Sequence, residues 1–352
     1  MSLAPGTTIG IVGGGQLGRM MALAAARMGY KCHIYDPHYR PCAAEVAGTF
    51  TRGAFDDADA LARFAKVCDV VTYEFENVPV GPLAALGGKL RPTTRSLEIA
   101  QDRVAEKHFL GSIGIPVAPW RQVDTAADAA AAEAALGLPL VFKTRRLGYD
   151  GKGQAWARDP ASAAATFASI GEQPAVAETA MTFDAEFSVI VARWEDGTTA
   201  SWDIVENEHR DGILHRSRVP ASVEVAMQSE EARAMALKIV AALDHVGVLT
   251  VEFFACPDGP IVNEIAPRVH NSGHWTIEGA VTSQFEQHVR AICDLPPGAT
   301  VRNSERVEME NLIGSDVERW PDFLEECRGY LHLYNKGDAR PGRKMGHVTR
   351  LK

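Results

Sequence analysis

Two glutamates in the second half of the chain are placed to hold a divalent cation. Glu252 lies in the apolar run LTVEFF and Glu264 in IVNEIA, with a hairpin signal, Asp-Gly, between them. A connection over residues 256–259 would put the two carboxylates on opposite faces. A connection over residues 256–260 places them opposite each other, and Pro260 favours this register because proline cannot donate to a strand ladder. Facing carboxylates repel unless a cation lies between them, and Mg²⁺ with phosphate oxygens suits that position.

The segment after the second glutamate, APRVHNSGHW, is polar, cationic and aromatic. Arg268 has the planar fork that holds a carboxylate or a phosphate, and His270 can carry a proton. A lone histidine is more often structural, but its position directly after a metal-ligand strand favours the functional interpretation. Close to the C-terminus, the basic run Lys336 to Lys344 is equally consistent with a solvated tail and with a phosphate clamp.

A lysine and a glycine loop form a third group. Lys143 lies in the apolar strand PLVFKT, and the loop GYDGKGQ at residues 148–154 follows it. A strand lysine under a glycine loop is suited to covering nucleotide phosphates, although the loop is not a Walker A sequence. The alternative is a solvated hairpin with a lysine that extends to water.

The N-terminal segment IGIVGGGQLGR fits the dinucleotide fingerprint, with Gly13, Gly15 and Gly18 at the required spacing and Asp36 at the end of the next strand. The glycines bring backbone N–H groups to the start of a helix, where an anion is stabilised. Three interpretations stay open: a dinucleotide site, a site for another phosphate such as a sugar phosphate, and a structural tight turn.

Composition limits the classes of protein. The 352 residues suit two or three packed domains, and a net charge of −9 does not indicate the basic surface that a nucleic-acid-binding protein needs. The six cysteines are scattered, as reduced core thiols are, so no disulfide framework or zinc site is expected. No signal peptide precedes the first strand, and no apolar run reaches the roughly 18 residues of a membrane span. We therefore expect a cytoplasmic protein that binds no membrane.

The elements fall into three predicted domains, at residues 1–105, 106–182 and 183–352. The first alternates strand and helix, which predicts a parallel, doubly wound sheet, and a helix is expected from Ser96 to Ile113. The second follows the hinge GIPVAPW and is a small α+β unit. The third contains two hairpins, through Asp-Gly pairs, and ends in short strands and turns. The fold class is thus α/β and α+β.

These motifs together resemble the ATP-grasp superfamily, in which ATP lies between a small lid domain and a larger domain. The segments GGGQLGRM, YEFENV, QDRVAEK, GYDGKGQ, NEIAPRVHNSGHWT and RKMGH, spread over residues 13–347, resemble the 5-(carboxyamino)imidazole ribonucleotide synthetases within it. The resemblance implies an ATP-grasp fold with an N-terminal Rossmann-like domain that binds the acceptor and neither NAD nor flavin. It also implies Mg²⁺, as two ions, and a homodimer.

The implied reaction uses ATP and bicarbonate to form carboxyphosphate, which carboxylates the amine of 5-aminoimidazole ribonucleotide. The resemblance of each motif implies roles for the residues of this chain that match it. The implied ATP-binding residues are Arg103, Lys143, Gly148, Tyr149, Asp150, Gly151, Lys152, Gly153, Gln154, Glu178, Met181, Glu186, His209, Asn263 and Glu264. The implied metal ligands are Glu252 and Glu264, and the implied catalytic residues are Arg268, His270, Asn271 and Lys336. The implied acceptor-binding residues are Gly14, Gln16, Leu17, Glu74, Tyr149, Arg343 and Lys344.

Three rival functions are weighed against this one. Another ATP-grasp ligase, such as a formate-dependent glycinamide ribonucleotide transformylase or a biotin carboxylase, would share ATP and Mg²⁺ but not the acceptor. The segments GHWT and RKMGH favour the aminoimidazole ribonucleotide. A NAD-dependent oxidoreductase would leave the paired glutamates unexplained, and a non-catalytic nucleotide-binding module would leave the filled catalytic positions unexplained.

Overall fold

The N-terminal part of the computed structural model, which describes residues 2–148 and 151–352, is a parallel sheet in the order β3-β2-β1-β4. The alternating strands and helices of the sequence therefore form the predicted Rossmann-like unit. Its elements are β1 Thr8–Val12, α1 Gln16–Arg27, β2 Lys31–Asp36, β3 Thr49–Arg52, α2 Ala58–Lys66, β4 Val70–Tyr73, α3 Val80–Ala84, α4 Thr94–Ala100 and α5 Arg103–Ser112.

The single helix expected over residues 96–113 is wrong, because the chain breaks between α4 and α5. Asp102 stands at the break, and its carboxylate accepts hydrogen bonds from the backbone N–H groups of Val104 and Ala105. An aspartate in this role satisfies N–H groups that a helix start would otherwise leave open. The break turns α5 so that its first residue, Arg103, reaches Glu264 on a later strand.

The lid domain is a four-stranded antiparallel sheet, in the order β5-β8-β6-β7, with two helices. Its first helix begins with a capping box between Thr125 and Asp128 and ends at Gly137, where φ is +75°. The elements are β5 Trp120–Val123, α6 Ala126–Leu136, β6 Leu140–Thr144, β7 Gln154–Ala157, α7 Ala163–Ser169 and β8 Ala175–Thr179.

The rest of the described chain forms a large sheet that runs β14-β13-β9-β11-β12-β15-β17-β16, with β10 paired to β9. The C-terminal segment expected as strands and turns also contains a helix, α12. The elements are β9 Ala185–Arg193, β10 Thr199–Ser201, β11 Val205–Arg210, β12 Ile213–Val219, α8 Val223–Met227, α9 Ser229–Ala242, β13 Gly247–Cys256, β14 Gly259–Ala266, α10 Thr276–Gly279, α11 Gln284–Ile292, β15 Val307–Ile313, α12 Trp320–Glu325, β16 Gly329–Leu333 and β17 Lys344–Leu351.

The β13–β14 hairpin confirms that Glu252 lies opposite Glu264, but by a different route from the one expected. Cys256 pairs with Gly259, so the turn is short, and Pro260 lies in the ladder opposite Ala255. Proline is accepted there because β14 is the edge strand of the sheet. A register shift beside Glu252 then brings the two carboxylates opposite each other.

One apolar core joins the N-terminal unit to the large sheet. Side chains of α1, such as Met20 and Met21, pack in the same cluster as Phe285 and Val289 of α11 and Val248 of β13. Burial of this kind contributes roughly 25 cal/mol per Å² of apolar surface, so the two units share their stability. In the described ranges, every helix is too short or too polar to cross a membrane.

Candidate active site

The facing carboxylates of Glu252 and Glu264 form the centre of the site. Glu252 contacts His270 Nε2 at 3.0 Å, and Glu264 accepts a hydrogen bond from Arg103 Nη1 at 3.2 Å. Burial raises the pKa of the Glu252 carboxyl, but the charges of His270, His209 and Lys344 outweigh that effect and lower it. Glu252 is therefore a carboxylate at neutral pH. Two carboxylate ligands that leave room for phosphate oxygens and water fit Mg²⁺, which seldom takes a full set of protein ligands.

Helix α5 presents three ionisable residues to this centre, of which the sequence predicted only Arg103. Glu106 and Lys107 lie one turn further on the same face, at the i+3 and i+4 positions. Glu106 is buried and accepts a hydrogen bond from the backbone N–H of Ile265 at 2.6 Å. Burial raises the pKa of Glu106 to about 8. The spacing within QDRVAEK was the signal that could have identified both residues.

Glu178 bridges two lysines at the back of the site. Its carboxylate contacts Lys107 Nζ at 2.8 Å and Lys143 Nζ at 2.8 Å. Burial raises the pKa of Glu178, but the two lysines and Arg103 dominate and lower it to about 2. Lys143 Nζ also donates to Asn263 Oδ1 at 3.2 Å, so β6 of the lid and β14 of the large sheet meet at one ammonium group.

The glycine loop lies between the lid and the large sheet. The N–H of Thr144 donates to the carbonyl of Gly153 at 2.7 Å, which closes the loop on its own strand. A Cβ placed at Gly148 would lie 3.8 Å from Arg103 Nη2, so the loop begins beside the metal-ligand cluster. Gly151 lies against the backbone of Asp211 and Gly212, in the β11–β12 turn. Lys152 and Gln154 are exposed, whereas Tyr149 and Asp150 lie outside the described residues.

The expected ribose and adenine residues lie along the same cleft. Glu186 on β9 forms an ion pair with His209 on β11. Burial lowers the pKa of the His209 imidazole, but Glu186 and Glu252 more than compensate and raise it. Met181 is half-buried in the connection between β8 and β9, after Glu178. Their contacts with a nucleotide stay predictions.

Arg268 and His270 lie next to the carboxylates, at the end of β14. Arg268 forms an ion pair with Glu76 at 2.8 Å, and the charges of Glu76, Glu74 and Glu264 raise its pKa against the effect of burial. Its guanidinium is thus between the metal-ligand cluster and the N-terminal domain. Asn271 is paired amide to amide with Asn311, at 2.9 and 2.8 Å. This contact positions the loop, and a catalytic role for Asn271 stays a prediction.

The fingerprint loop binds carboxylates of the protein itself. Glu74 accepts hydrogen bonds from the N–H groups of Gly15 at 2.8 Å and Gly18 at 3.2 Å, and Asp36 accepts from the N–H of Gly14 at 2.8 Å. Glu74 is 8% exposed, and burial raises its pKa. The amide groups that would bind a dinucleotide pyrophosphate are therefore already used. Gln16 and Leu17 begin α1 beside this contact, with Gln16 half-buried and Leu17 buried.

The C-terminal basic run comes back to the same place. Lys336 donates to the carbonyl of Lys344 at 3.1 Å, and burial lowers its pKa, while the charge of Glu74 acts in the opposite direction. Arg343 donates to the carbonyl of Asp338 at 3.3 Å, and its side chain is half-buried. Lys344 begins β17 and acts electrostatically on Glu252. The structure thus brings this run close to both Glu74 and the carboxylate centre. A solvated tail would not lie there.

Comparison with known families gives the class of protein that this fold and site define. The ATP-grasp domain model matches residues 108–285, and the ribonucleotide synthetase preATP-grasp domain model matches residues 6–101. The chain is an ATP-grasp enzyme. The phosphoribosylaminoimidazole carboxylase C-terminal domain model matches residues 308–352.

Individual relatives narrow the family. The chain is 52% identical to N5-carboxyaminoimidazole ribonucleotide synthase of Brucella melitensis, over 100% of this chain and 98% of the relative. It belongs to the N5-carboxyaminoimidazole ribonucleotide synthase family.

Solved structures of the family superpose along the whole chain. The Staphylococcus aureus enzyme in complex with ADP is 37% identical, with a TM-score of 0.95, and the match covers 100% of this chain and 94% of that one. The Aspergillus clavatus enzyme in complex with ADP and 5-aminoimidazole ribonucleotide is 32% identical, with a TM-score of 0.92 and a coverage of 99% and 94%. The expected fold and family are confirmed.

Proposed function

We propose that this chain carboxylates 5-aminoimidazole ribonucleotide at its amine, using ATP and bicarbonate and releasing ADP and phosphate. The observation that carries the proposal is the position of Arg268. Arg268 follows β14, the strand of the candidate metal ligand Glu264, and its guanidinium contacts Glu76 of the N-terminal unit at 2.8 Å. An enzyme that passes a carboxyl group from an ATP-derived intermediate to an amine needs a cation at this junction.

The ATP side of the site supports phosphoryl transfer to bicarbonate. Lys143 and Arg103 supply positive charge for the phosphates, and Glu252 with Glu264 would hold Mg²⁺ as two ions. Bound Mg²⁺ would neutralise the charge that develops on the transferred phosphoryl group. The glycine loop, which lies against the β11–β12 turn at Gly151, would exclude water from carboxyphosphate.

The acceptor side supports a phosphorylated ribonucleotide. Arg343 and Lys344 would hold its 5′-phosphate, and Lys336 lies beside Glu74, where the ribose or base would be bound. His270 and Arg268 would stabilise the carboxyphosphate and direct its breakdown. The family resemblance adds two further parts to the proposal, a homodimer and a cytoplasmic location.

The test is ADP release from Mg-ATP and bicarbonate, with and without 5-aminoimidazole ribonucleotide, beside a parallel reaction with glycinamide ribonucleotide and formate. We expect strong stimulation by the aminoimidazole ribonucleotide alone. Stimulation only by the formate mixture would keep the ATP-grasp chemistry and reject the acceptor. A lack of stimulation in both reactions would reject the proposed function.

A further inference from the structure

Lys107 has no role in the binding scheme above, yet it is among the most buried charged residues of the site. Its side chain is 1% exposed, and its Nζ lies 2.8 Å from Glu178 Oε1. The other carboxylate oxygen, Oε2, lies 2.8 Å from Lys143 Nζ. A buried ammonium group is costly unless it is paired, so a neutral side chain would fill this position more cheaply if only packing mattered.

The charges of this group do not cancel. Lys107, Glu178 and Lys143 together carry a net charge of +1, whereas the neighbouring pair of Arg103 and Glu264 is neutral. If Lys107 were absent, Glu178 and Lys143 would form a neutral pair. The phosphate side of the site would then lose one full positive charge in a partly buried region, where charges interact more strongly than in water.

We infer that Lys107 is a positioning residue that keeps the charge of Lys143 available to the nucleotide phosphates by neutralising Glu178. Lys107 contacts one carboxylate oxygen of Glu178, whereas Lys143 contacts the other. This inference rests on the proposed use of ATP by the enzyme. The inference attributes the selectivity for phosphorylated nucleotides to the net charge of three side chains. Lys143 and Glu178 lie on the lid sheet, and Lys107 lies on α5.

A purely structural role for Lys107 makes a different prediction. If Lys107 only held Glu178 in place, its loss would weaken the binding of adenosine and ADP to the same extent. A charge effect acts on the phosphates alone, so adenosine, which carries none, separates the two. The ratio of the ADP affinity to the adenosine affinity is therefore the quantity to measure, because it cancels any change in contact with the base.

The experiment compares three variants of the full chain with the wild type by calorimetric titration with ADP and with adenosine. Lys107→Met removes the charge, Lys107→Arg keeps it, and Lys107→Met combined with Glu178→Gln restores the net charge of +1 at Lys143. We expect Lys107→Met to lower the affinity ratio at least about 10-fold. The other two variants should stay within about 3-fold of the wild type.

Two results would overturn the inference: an unchanged ratio in Lys107→Met, or a double variant whose ratio stays as low as that of the single one. If Lys107→Met does not fold, the double variant decides alone, and an affinity ratio far below that of the wild type would then overturn the inference. A wild-type protein that binds no ADP would instead reject the proposed function. The two failures are therefore distinguishable.

Discussion

At the residue scale, the site balances charge in pairs before any ligand binds. Glu252 contacts His270 and Glu264 pairs with Arg103, so two carboxylates that face each other on adjacent strands each have a separate hydrogen-bonding partner. Like charges directly opposite on strands are otherwise destabilising. The surrounding charges lower the pKa of Glu252 and keep this carboxyl ionised, ready to act as a metal ligand.

The first prediction concerns one of these carboxylates. Glu264→Gln removes the charge of a metal ligand but keeps its size, so we expect Mg²⁺ affinity to fall more than about 10-fold and turnover to be abolished. Thermal unfolding should show an intact fold. Glu208→Gln is the matched control, because Glu208 lies on the same sheet and forms its ion pairs with Arg210 and Arg218, away from the carboxylate centre. Near-normal turnover of Glu264→Gln would overturn the metal assignment.

At the scale of elements, a buried histidine joins three of them. His288 on α11 contacts Thr72 on β4 through Nε2 at 2.8 Å, and its Nδ1 accepts the N–H of Val248 on β13 at 3.0 Å. The ring nitrogen that accepts this hydrogen bond carries no proton, so the imidazole is uncharged. Burial lowers the pKa of His288 to about 4, so protonation would break the contact between the N-terminal sheet and the large sheet.

The second prediction follows from that pKa. Between about pH 4 and pH 6.5 the unfolded state binds a proton that folded His288 does not, so acidification over this window destabilises the fold. We expect the wild type to lose about 1.4 kcal/mol of unfolding free energy per pH unit more than His288→Asn does. Urea unfolding of both proteins at several pH values measures the difference. Groups such as Glu106 and His209, whose pKa values are raised, act oppositely but equally in both proteins. Parallel pH profiles would contradict the assignment.

The elements also show what the sequence could predict. Alternating patterns and Asp-Gly pairs predicted the parallel sheet and both hairpins, because those signals are local. The prediction that Glu252 lies opposite Glu264 was correct, but its reason was wrong. The pairing results from a register shift, and Pro260 is tolerated because β14 is an edge strand, which no local pattern reveals. Likewise, Lys107 and Glu178 are 71 positions apart in the chain (178 − 107), so their contact follows only from the packing of α5 against the lid.

At the scale of the whole molecule, the proposed acceptor site combines the N-terminal domain with residues at the start of the C-terminal strand β17. We predict that Arg343→Ala raises the KM for the aminoimidazole ribonucleotide at least about 10-fold, because a hydrogen bond to a charged group is worth about 1.5–3 kcal/mol. The KM for ATP should change by less than about 2-fold. Arg340→Ala, in the same loop and exposed, is the control. Equal changes in both KM values would remove Arg343 from the acceptor site.

We expect the coupling of the two proposed half-reactions to depend on the contact between the lid and the large sheet. Gly151 has φ of +74°, and a Cβ there would lie 3.2 Å from the carbonyl oxygen of Asp211 and from Gly212 Cα. Gly137, in the same lid, has a nearly identical φ of +75° and nothing within 4 Å. Ala at either position introduces backbone strain because φ is positive, but only at Gly151 does the added Cβ also meet the β11–β12 turn.

The last prediction uses this matched pair. A loop that seats poorly admits water, so carboxyphosphate should be hydrolysed before it reaches the amine. We expect Gly151→Ala to release several ADP molecules per carboxylated product, whereas Gly137→Ala should keep a ratio near one. Parallel measurement of ADP and of carboxylated product under saturating substrates gives the ratio. An equal ratio in the two variants would show that strain, and not the contact with the β11–β12 turn, determines how the lid protects the intermediate. A ratio that rises only in Gly151→Ala would show that this backbone contact keeps water away from carboxyphosphate between ATP cleavage and transfer to the acceptor.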